Sequence, residues 1–173
     1  MNYIKDIKLK EDSYYNVVIE IPMHTNSKYE LDEETFSKLI EVRKVHGKYP
    51  FYYGCFPQTY AGDGDALDMI LFSHKKRKKL DIVKVIPVGV IKTIDWGCID
   101  DKVLVLPIDE EFKNLDKYIN KALKFIHTYK GKDNNTTVDD TIYDSVEAMR
   151  LIDKAHKAYA NKENIETNVL QSF

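Results

Sequence analysis

The sequence predicts an α+β fold in which a closed or curled antiparallel β-barrel carries two C-terminal helices packed on its outside. Two observations support this fold class. The first two thirds of the chain read as short β-branched and aromatic runs, and the last third changes to a helical period. Because the 173 residues contain no internal repeat and no low-complexity linker, we expect a single domain over residues 1–173.

Four runs predict the strands of the barrel. Residues 14–21 are β-branched and aromatic and end at Pro22, which cannot continue a sheet ladder. Residues 69–72, 82–91 and 103–106 follow, each bounded by turn or charged residues. These runs precede every helical pattern in the chain, as expected for strands that form one sheet.

The first predicted helix has one apolar face. Its members recur at helical spacing: Leu115, Tyr118, Ile119, Ala122, Leu123, Ile126 and Tyr129. Asn114 is a candidate N-cap, and Gly131 is a candidate end signal.

The second helix is predicted to open at Asp144, because Glu147 follows three residues later as in a capping box. Its expected inner face comprises Val146, Met149, Ile152, Ala155 and Tyr159.

Composition narrows the functional classes. A net charge of −2 provides no overall field toward nucleic acid or anionic membranes. No apolar run approaches the ~18 residues of a spanning helix, and the N-terminus lacks the apolar core of a secretory signal. Cys55 and Cys98 show no metal-binding spacing and are expected to be free thiols. We therefore expect a cytoplasmic protein.

One basic run, residues 74–79, permits two interpretations. Six consecutive basic residues are compatible with a phosphate-binding or nucleic-acid patch. The alternative is a solvated hairpin loop that joins the strands at 69–72 and 82–91. The absence of interleaved aromatic residues favours the loop.

The most informative segment is Gly62-Asp63-Gly64-Asp65-Ala66-Leu67-Asp68-Met69. In an extended backbone Asp63 and Asp65 point to one side, and so much negative charge favours a bound cation. Oxygen ligands without nearby imidazole or thiolate suit Mg²⁺, Mn²⁺ or Ca²⁺ rather than Zn²⁺. Taken alone, the segment could also be a solvated acidic turn.

Further polar residues occur at strand positions or strand ends, where surface charges are the simple alternative. Glu20 lies inside an apolar run, and Lys28 and Glu30 share one strand face. The others are Arg43, Asp95, Asp100, Lys102, Tyr129 and Lys130.

Taken in order, these segments resemble the soluble inorganic pyrophosphatases of the Mg²⁺-dependent, barrel-type family, over roughly residues 14–132. The matching segments are Ile19-Glu20-Ile21-Pro22, Lys28-Tyr29-Glu30, Arg43, Tyr49-Pro50 through Tyr53-Gly54, Asp63-Gly64-Asp65-Ala66-Leu67-Asp68, Pro87-Val88-Gly89-Val90, Asp95 with Asp100 and Lys102, and Tyr129-Lys130. The sequence departs from the family at Ala66, where proline is usual, and at Trp96, where an acidic residue is common.

The resemblance implies an OB-like barrel and a metal-dependent hydrolysis of pyrophosphate to two phosphates by a metal-activated water. It implies Asp65 as the general base, with Tyr53 nearby, and several Mg²⁺ ions, with Mn²⁺ as an alternative. The implied metal site comprises Asp63, Asp65, Asp68, Asp95 and Asp100, with Glu20 and Glu30 ordering outer waters. The implied substrate-binding residues are Lys28, Arg43, Lys102, Tyr129 and Lys130. It also implies a homo-oligomer, most often a hexamer, with no nucleic-acid or membrane partner.

Two other functions are compatible with parts of the sequence. An oligonucleotide-binding barrel would use the basic run, but such modules stack bases on aromatic strands rather than on carboxylates. A non-catalytic relative would bind metal and phosphate with little turnover. The complete polar set argues against the second alternative.

Overall fold

The structure, a computed structural model, describes residues 1–131 and 135–171. The strands are β1 (Lys10–Glu11), β2 (Tyr14–Ile21), β3 (Ser27–Leu31), β4 (Leu39–Lys44), β5 (Tyr52–Cys55), β6 (Asp68–Leu71), β7 (Ile82–Asp95), β8 (Cys98–Ile99), β9 (Lys102–Pro107) and β10 (Thr136–Tyr143). The helices are α1 (Leu115–Thr128) and α2 (Ser145–Gln171). None of the helices in the described ranges has the length and apolarity that crossing a membrane requires.

Five strands close into a ring, in the order β2, β5, β6, β9, β7 and back to β2. The predicted barrel with two helices is therefore confirmed, but the sheet is mixed rather than purely antiparallel, because β6 and β9 are parallel. The reason lies in the chain order. Strand β7 comes between them in sequence and pairs antiparallel with β9 from its other side, so the chain reverses twice before it returns beside β6.

A glycine allows two strands that carry site residues to come close together. A Cβ atom at Gly54 would lie 1.9 Å from the carbonyl oxygen of Val18, which no side chain could accommodate. Strands β2 and β5 therefore pack tightly, and Glu20 and Tyr53 enter the same end of the barrel.

Two of the three hydrophobic clusters in the described residues each include residues of one helix, and alternate strand residues supply them. Met69 and Leu71 belong to the cluster that includes residues of α2, whereas Ile70 and Leu104 belong to the cluster under α1. This arrangement leaves one end of the barrel open to a separate two-stranded sheet, β3–β4.

The start of α1 differs from the prediction, whereas α2 begins after Asp144 as predicted. Asn114 does precede α1, but its backbone is left-handed, with φ 57°, and its side chain makes no capping hydrogen bond. A side-chain cap needs an extended backbone at this position, so the predicted cap is wrong. At α2 the Asp144 carboxylate accepts a hydrogen bond from the Glu147 amide at 3.1 Å. The reciprocal half of the box is replaced by a Glu147–Arg150 pair.

The inner face of α2 was only partly predicted. Ile152 and Ala155 are buried, but Val146 is 67% exposed and Met149 is 43% exposed. The buried face is rotated toward Ala148, which is fully buried, because small alanine side chains allow the helix to lie close to the barrel.

Strand β10, between the two helices, was not predicted. It pairs antiparallel with the far half of β7. Its threonine and aspartate residues are largely exposed, so the sequence shows no clear alternation of apolar and polar residues there.

Residues 74–79 do not form a hairpin loop, because β6 and β7 are not paired with each other. They lie in the crossover that connects two separated strands of the ring. The run is solvent-exposed as expected, except for Arg77, which is half-buried and ion-paired with Asp109.

Candidate active site

The open end of the barrel contains a cavity of about 500 Å³. The cavity brings together all of the predicted site residues except Lys102, which lies beneath the lining and is 1% exposed. The lining residues among them are Glu20, Lys28, Glu30, Arg43, Tyr53, Asp63, Asp65, Asp68, Asp95, Asp100, Tyr129 and Lys130. Segments far apart in sequence thus meet around one polar space.

The β3–β4 hairpin, residues 27–44, supplies one wall of the cavity. Lys28 and Arg43 are cross-strand neighbours, and a register shift follows directly after Lys28. Such an irregularity re-aims the side chains beside it. Lys28 is also ion-paired with Glu30, so both signs of charge occur on this wall.

The buried Glu20 carboxylate links this wall to the barrel. Its Oε1 atom accepts a hydrogen bond from the Leu31 amide at 3.1 Å. Burial and then repulsion from Asp68 raise the pKa of Glu20 to about 8. The neutral form of Glu20 is therefore favoured in the folded protein unless a cation lies nearby.

Residues 62–68, hereafter the acidic loop, place Asp63 and Asp65 on the solvent side of the cavity. The Asp65 amide donates to Asp63 Oδ1 at 3.1 Å, and Gly64 has a φ of +96° that favours glycine. Desolvation by the cavity walls, and then the charge of Asp63, raise the pKa of Asp65 to about 6.

An ammonium between two carboxylates forms the floor. Lys102 Nζ lies 2.7 Å from Asp68 Oδ2 and 2.5 Å from Asp100 Oδ1. The Tyr53 hydroxyl donates a short hydrogen bond to the same oxygen of Asp68. Lys102 and Tyr53 lower the pKa of Asp68 against the effect of its burial. Burial, together with the charge of Asp68, raises the pKa of Asp100 to about 7.

The far wall pairs Lys130, which follows α1, with Asp95 at the end of β7. The other oxygen of Asp95 accepts a hydrogen bond from the Thr136 hydroxyl at 2.6 Å. Lys130 and Thr136 lower the pKa of Asp95, although desolvation opposes them. Thr136 was not predicted as a site residue, because the polar sequence of β10 shows no strand pattern.

Trp96 lies at the rim of the cavity, in the turn between β7 and β8. It is 74% exposed and has a positive φ of 48°, so its ring does not pack as a cover on the barrel. The indole adds no charge to the rim.

In the described part of the chain, no three carboxylate, imidazole or thiol groups converge as a preformed metal site. Several acids are instead paired with Lys28, Lys102 and Lys130. The donor set nevertheless fits hard divalent cations, since it consists of carboxylate oxygens without sulfur or imidazole ligands. The raised pKa values of Glu20, Asp65 and Asp100 also indicate that internal cations do not neutralise every acid.

These shifts predict how stability depends on pH when metal is absent. Glu20, Asp65 and Asp100 have folded pKa values of about 8, 6 and 7, above the value of about 4 expected after unfolding. Their contribution to stability is therefore complete below about pH 4 and is lost as the pH rises through 6–8. Asp68 and Asp95 have lowered pKa values and stabilise the fold throughout this window.

We expect the free energy of unfolding in urea, measured in chelator, to fall from about pH 5 to pH 8. Adding Mg²⁺ at pH 8 should restore stability, by about 2.7 kcal/mol at a hundredfold excess over its dissociation constant. A metal-free protein that becomes more stable between pH 5 and pH 8 would contradict this electrostatic description.

The chain is similar in sequence to known inorganic pyrophosphatases. The family model "Inorganic pyrophosphatase" matches residues 17–160. The inorganic pyrophosphatase of Helicobacter pylori strain J99 is 35% identical, over 83% of this chain and 90% of that protein. The inorganic pyrophosphatase of Saccharolobus solfataricus is also 35% identical, over 81% of this chain and 88% of that protein.

Solved structures give the same result. A Helicobacter pylori inorganic pyrophosphatase has 31% identity and a TM-score of 0.77, covering 90% of this chain and 99% of that one. A Plasmodium falciparum type I enzyme shares the fold, with a TM-score of 0.87 at 23% identity, covering 99% of this chain and 68% of that one. The chain therefore belongs to the inorganic pyrophosphatase family, whose members hydrolyse inorganic pyrophosphate.

Proposed function

We propose that this chain hydrolyses inorganic pyrophosphate to two phosphates in a metal-dependent reaction with Asp65 as general base. The observation that carries the proposal is the single cavity in which the acidic loop faces Lys28, Arg43 and Lys130. A highly charged anion needs such cations, and the acids become compatible with it once divalent ions are bound.

The metal site would comprise Asp63, Asp65, Asp68, Asp95 and Asp100, with Glu20 and Glu30 ordering outer waters. Several Mg²⁺ ions, or Mn²⁺ in their place, would neutralise phosphate oxygens and lower the pKa of the attacking water. Tyr53 supports this site because its hydroxyl already holds one oxygen of Asp68.

Asp65 has the properties of a general base. With a pKa of about 6 it is mostly ionised at neutral pH and still basic enough to accept a proton, which is the range that favours proton transfer. It is also solvent-exposed, so a water molecule can reach it.

The predicted substrate-binding residues divide into two groups. Lys28, Arg43, Tyr129 and Lys130 line the cavity and would bind the phosphoryl oxygens, with Arg43 able to do so through two nitrogen atoms. Asp95 would hold metal, and Lys130, its ion-pair partner in the structure, would bind the phosphoryl oxygens. Lys102 is buried between Asp68 and Asp100, which supports a role in placing these acids besides the substrate contact that we predict for it.

A phosphate-release assay on pyrophosphate, tripolyphosphate and ATP in Mg²⁺ tests the proposal. We expect two phosphates per pyrophosphate and slower release from the two longer chains. Release from ATP with pyrophosphate left intact would reject pyrophosphate as the substrate. Metal-independent binding of single-stranded DNA would instead support the oligonucleotide-binding alternative.

We also propose that the protein is a cytoplasmic homo-oligomer, with a hexamer as the expected form. Ile40 and Val42 on β4 are each close to half exposed, as at a surface that a second copy covers. Neither Cys55 nor Cys98 is in a disulfide, which fits a reducing compartment. Light scattering at micromolar concentration should give the mass of an oligomer, and a monomer would reject this assembly.

A further inference from the structure

The basic run at residues 74–79, hereafter the basic loop, is fixed to the barrel although it is highly charged. Arg77 donates to Glu110 at 2.8 Å and to Asp109 at 3.0 Å. The His74 ring stacks on Phe112 with centroids 4.3 Å apart. The Glu110 side chain is largely buried. These contacts therefore hold the first part of the basic loop against the barrel.

The far end of the basic loop reaches the β3–β4 hairpin. The Lys79 ammonium lies 3.2 Å from the centroid of the Tyr29 ring, which is close contact for a cation over an aromatic face. Lys79 and then Ser27 lower the pKa of the Tyr29 phenol. Glu41, the cross-strand neighbour of Tyr29, has its pKa lowered mainly by Lys44 and further by Lys79.

Tyr29 lies on the strand that carries two of the predicted site residues. It lies between Lys28 and Glu30, both of which line the cavity. Strands β3 and β4 form their own two-stranded sheet and are not part of the barrel ring. A two-stranded ribbon is only marginally stable by itself, so the side chains that dock it decide how firmly Lys28 and Glu30 are held.

We propose that Lys79 is a positioning residue: its contact with Tyr29 ties the β3–β4 hairpin to the basic loop and thereby holds Lys28 and Glu30 in the cavity. This role rests on the proposed function of the cavity, and it gives the basic run a purpose other than nucleic-acid binding. Lys79 itself is not among the residues that line the cavity.

The test compares Lys79→Met with Lys76→Met. Methionine keeps an unbranched apolar stem and removes the charge. Lys76 is an exposed residue of the same loop, and the structure describes no ring or carboxylate contact for it, so it controls for a general loss of positive charge. Lys79→Arg, which keeps a cation over the ring, is the rescue variant, and Tyr29→Leu removes the partner.

Two measurements separate the positioning role from the proposed activity. Hydrogen exchange of residues 27–31 reports the docking of the hairpin without any substrate. We expect about two- to fivefold faster exchange in Lys79→Met, the size of a cation–π contact at an exposed site, and no change in Lys76→Met. The KM for pyrophosphate should rise by a similar factor, with kcat nearly unchanged. Lys79→Arg should restore both the exchange rate and the KM.

In a Tyr29→Leu background, Lys79→Met should have no further effect on exchange. Equal exchange in Lys79→Met and Lys76→Met would overturn the proposal, as would a rise in KM of the same size in both. If the wild-type protein showed no turnover, the proposed function would fail, and the exchange measurement would still decide whether Lys79 docks the hairpin.

Discussion

Asp65→Asn should lower turnover of pyrophosphate by roughly 10²–10⁴ while leaving the fold intact, because the amide keeps the size of the carboxylate but cannot accept a proton. The Asp65 side chain is exposed at the cavity, so its loss should not disturb the core. Phosphate release at saturating pyrophosphate and Mg²⁺ measures the effect, and a thermal unfolding curve checks the fold.

Asp12→Asn is the matched control. Asp12 is exposed, lies away from the cavity lining and has a positive φ of 51°, a conformation that asparagine also tolerates. The control should retain wild-type turnover. An Asp65→Asn variant as active as this control would mean that another group accepts the proton, and Glu20 and Tyr53 would be tested next.

Lys102→Met should cause the largest loss of stability, about 3–5 kcal/mol, because it removes a buried ammonium and leaves the half-buried Asp68 and Asp100 without their common cation. The loss should be smaller at about pH 5 than at pH 8, since Asp100, with a pKa of about 7, is then protonated. Urea unfolding in chelator at the two pH values measures both effects.

Lys157→Met removes the cation of an exposed i,i+4 pair with Asp153 and should cost no more than about 0.5 kcal/mol. A Lys102→Met variant that unfolds at the same urea concentration as Lys157→Met would show that the ammonium does not hold the floor of the cavity together.

The sequence predicted the fold where local pattern determines structure. The strand predicted over residues 14–21 has the observed bounds, because a run rich in β-branched and aromatic residues ends at proline. The parallel pairing of β6 with β9 depends on which strands meet across the ring, and no local pattern encodes it. Strand β10 was missed because a polar edge strand has little apolar surface to alternate.

The site also combines features that the local sequence predicts with features that depend on the fold. Glu20 and Asp68 lie at the ends of strands that the sequence predicted, whereas Tyr53 and Arg43 lie on β5 and β4, which were not predicted. Their roles remain predictions. The pairing of Lys130 with Asp95 and the contact of Lys79 with Tyr29 join residues far apart in sequence, so only the folded chain brings them together.

We propose that divalent cations make this acidic cavity an active site for pyrophosphate. The most direct test is phosphate release by the wild-type protein as Mg²⁺ is titrated into enzyme stripped with chelator. We expect no turnover in excess chelator. Turnover should rise as Mg²⁺ is added, with two phosphates released from each pyrophosphate. Ca²⁺ should inhibit, because its looser coordination positions water poorly. Full turnover in excess chelator would contradict the claim.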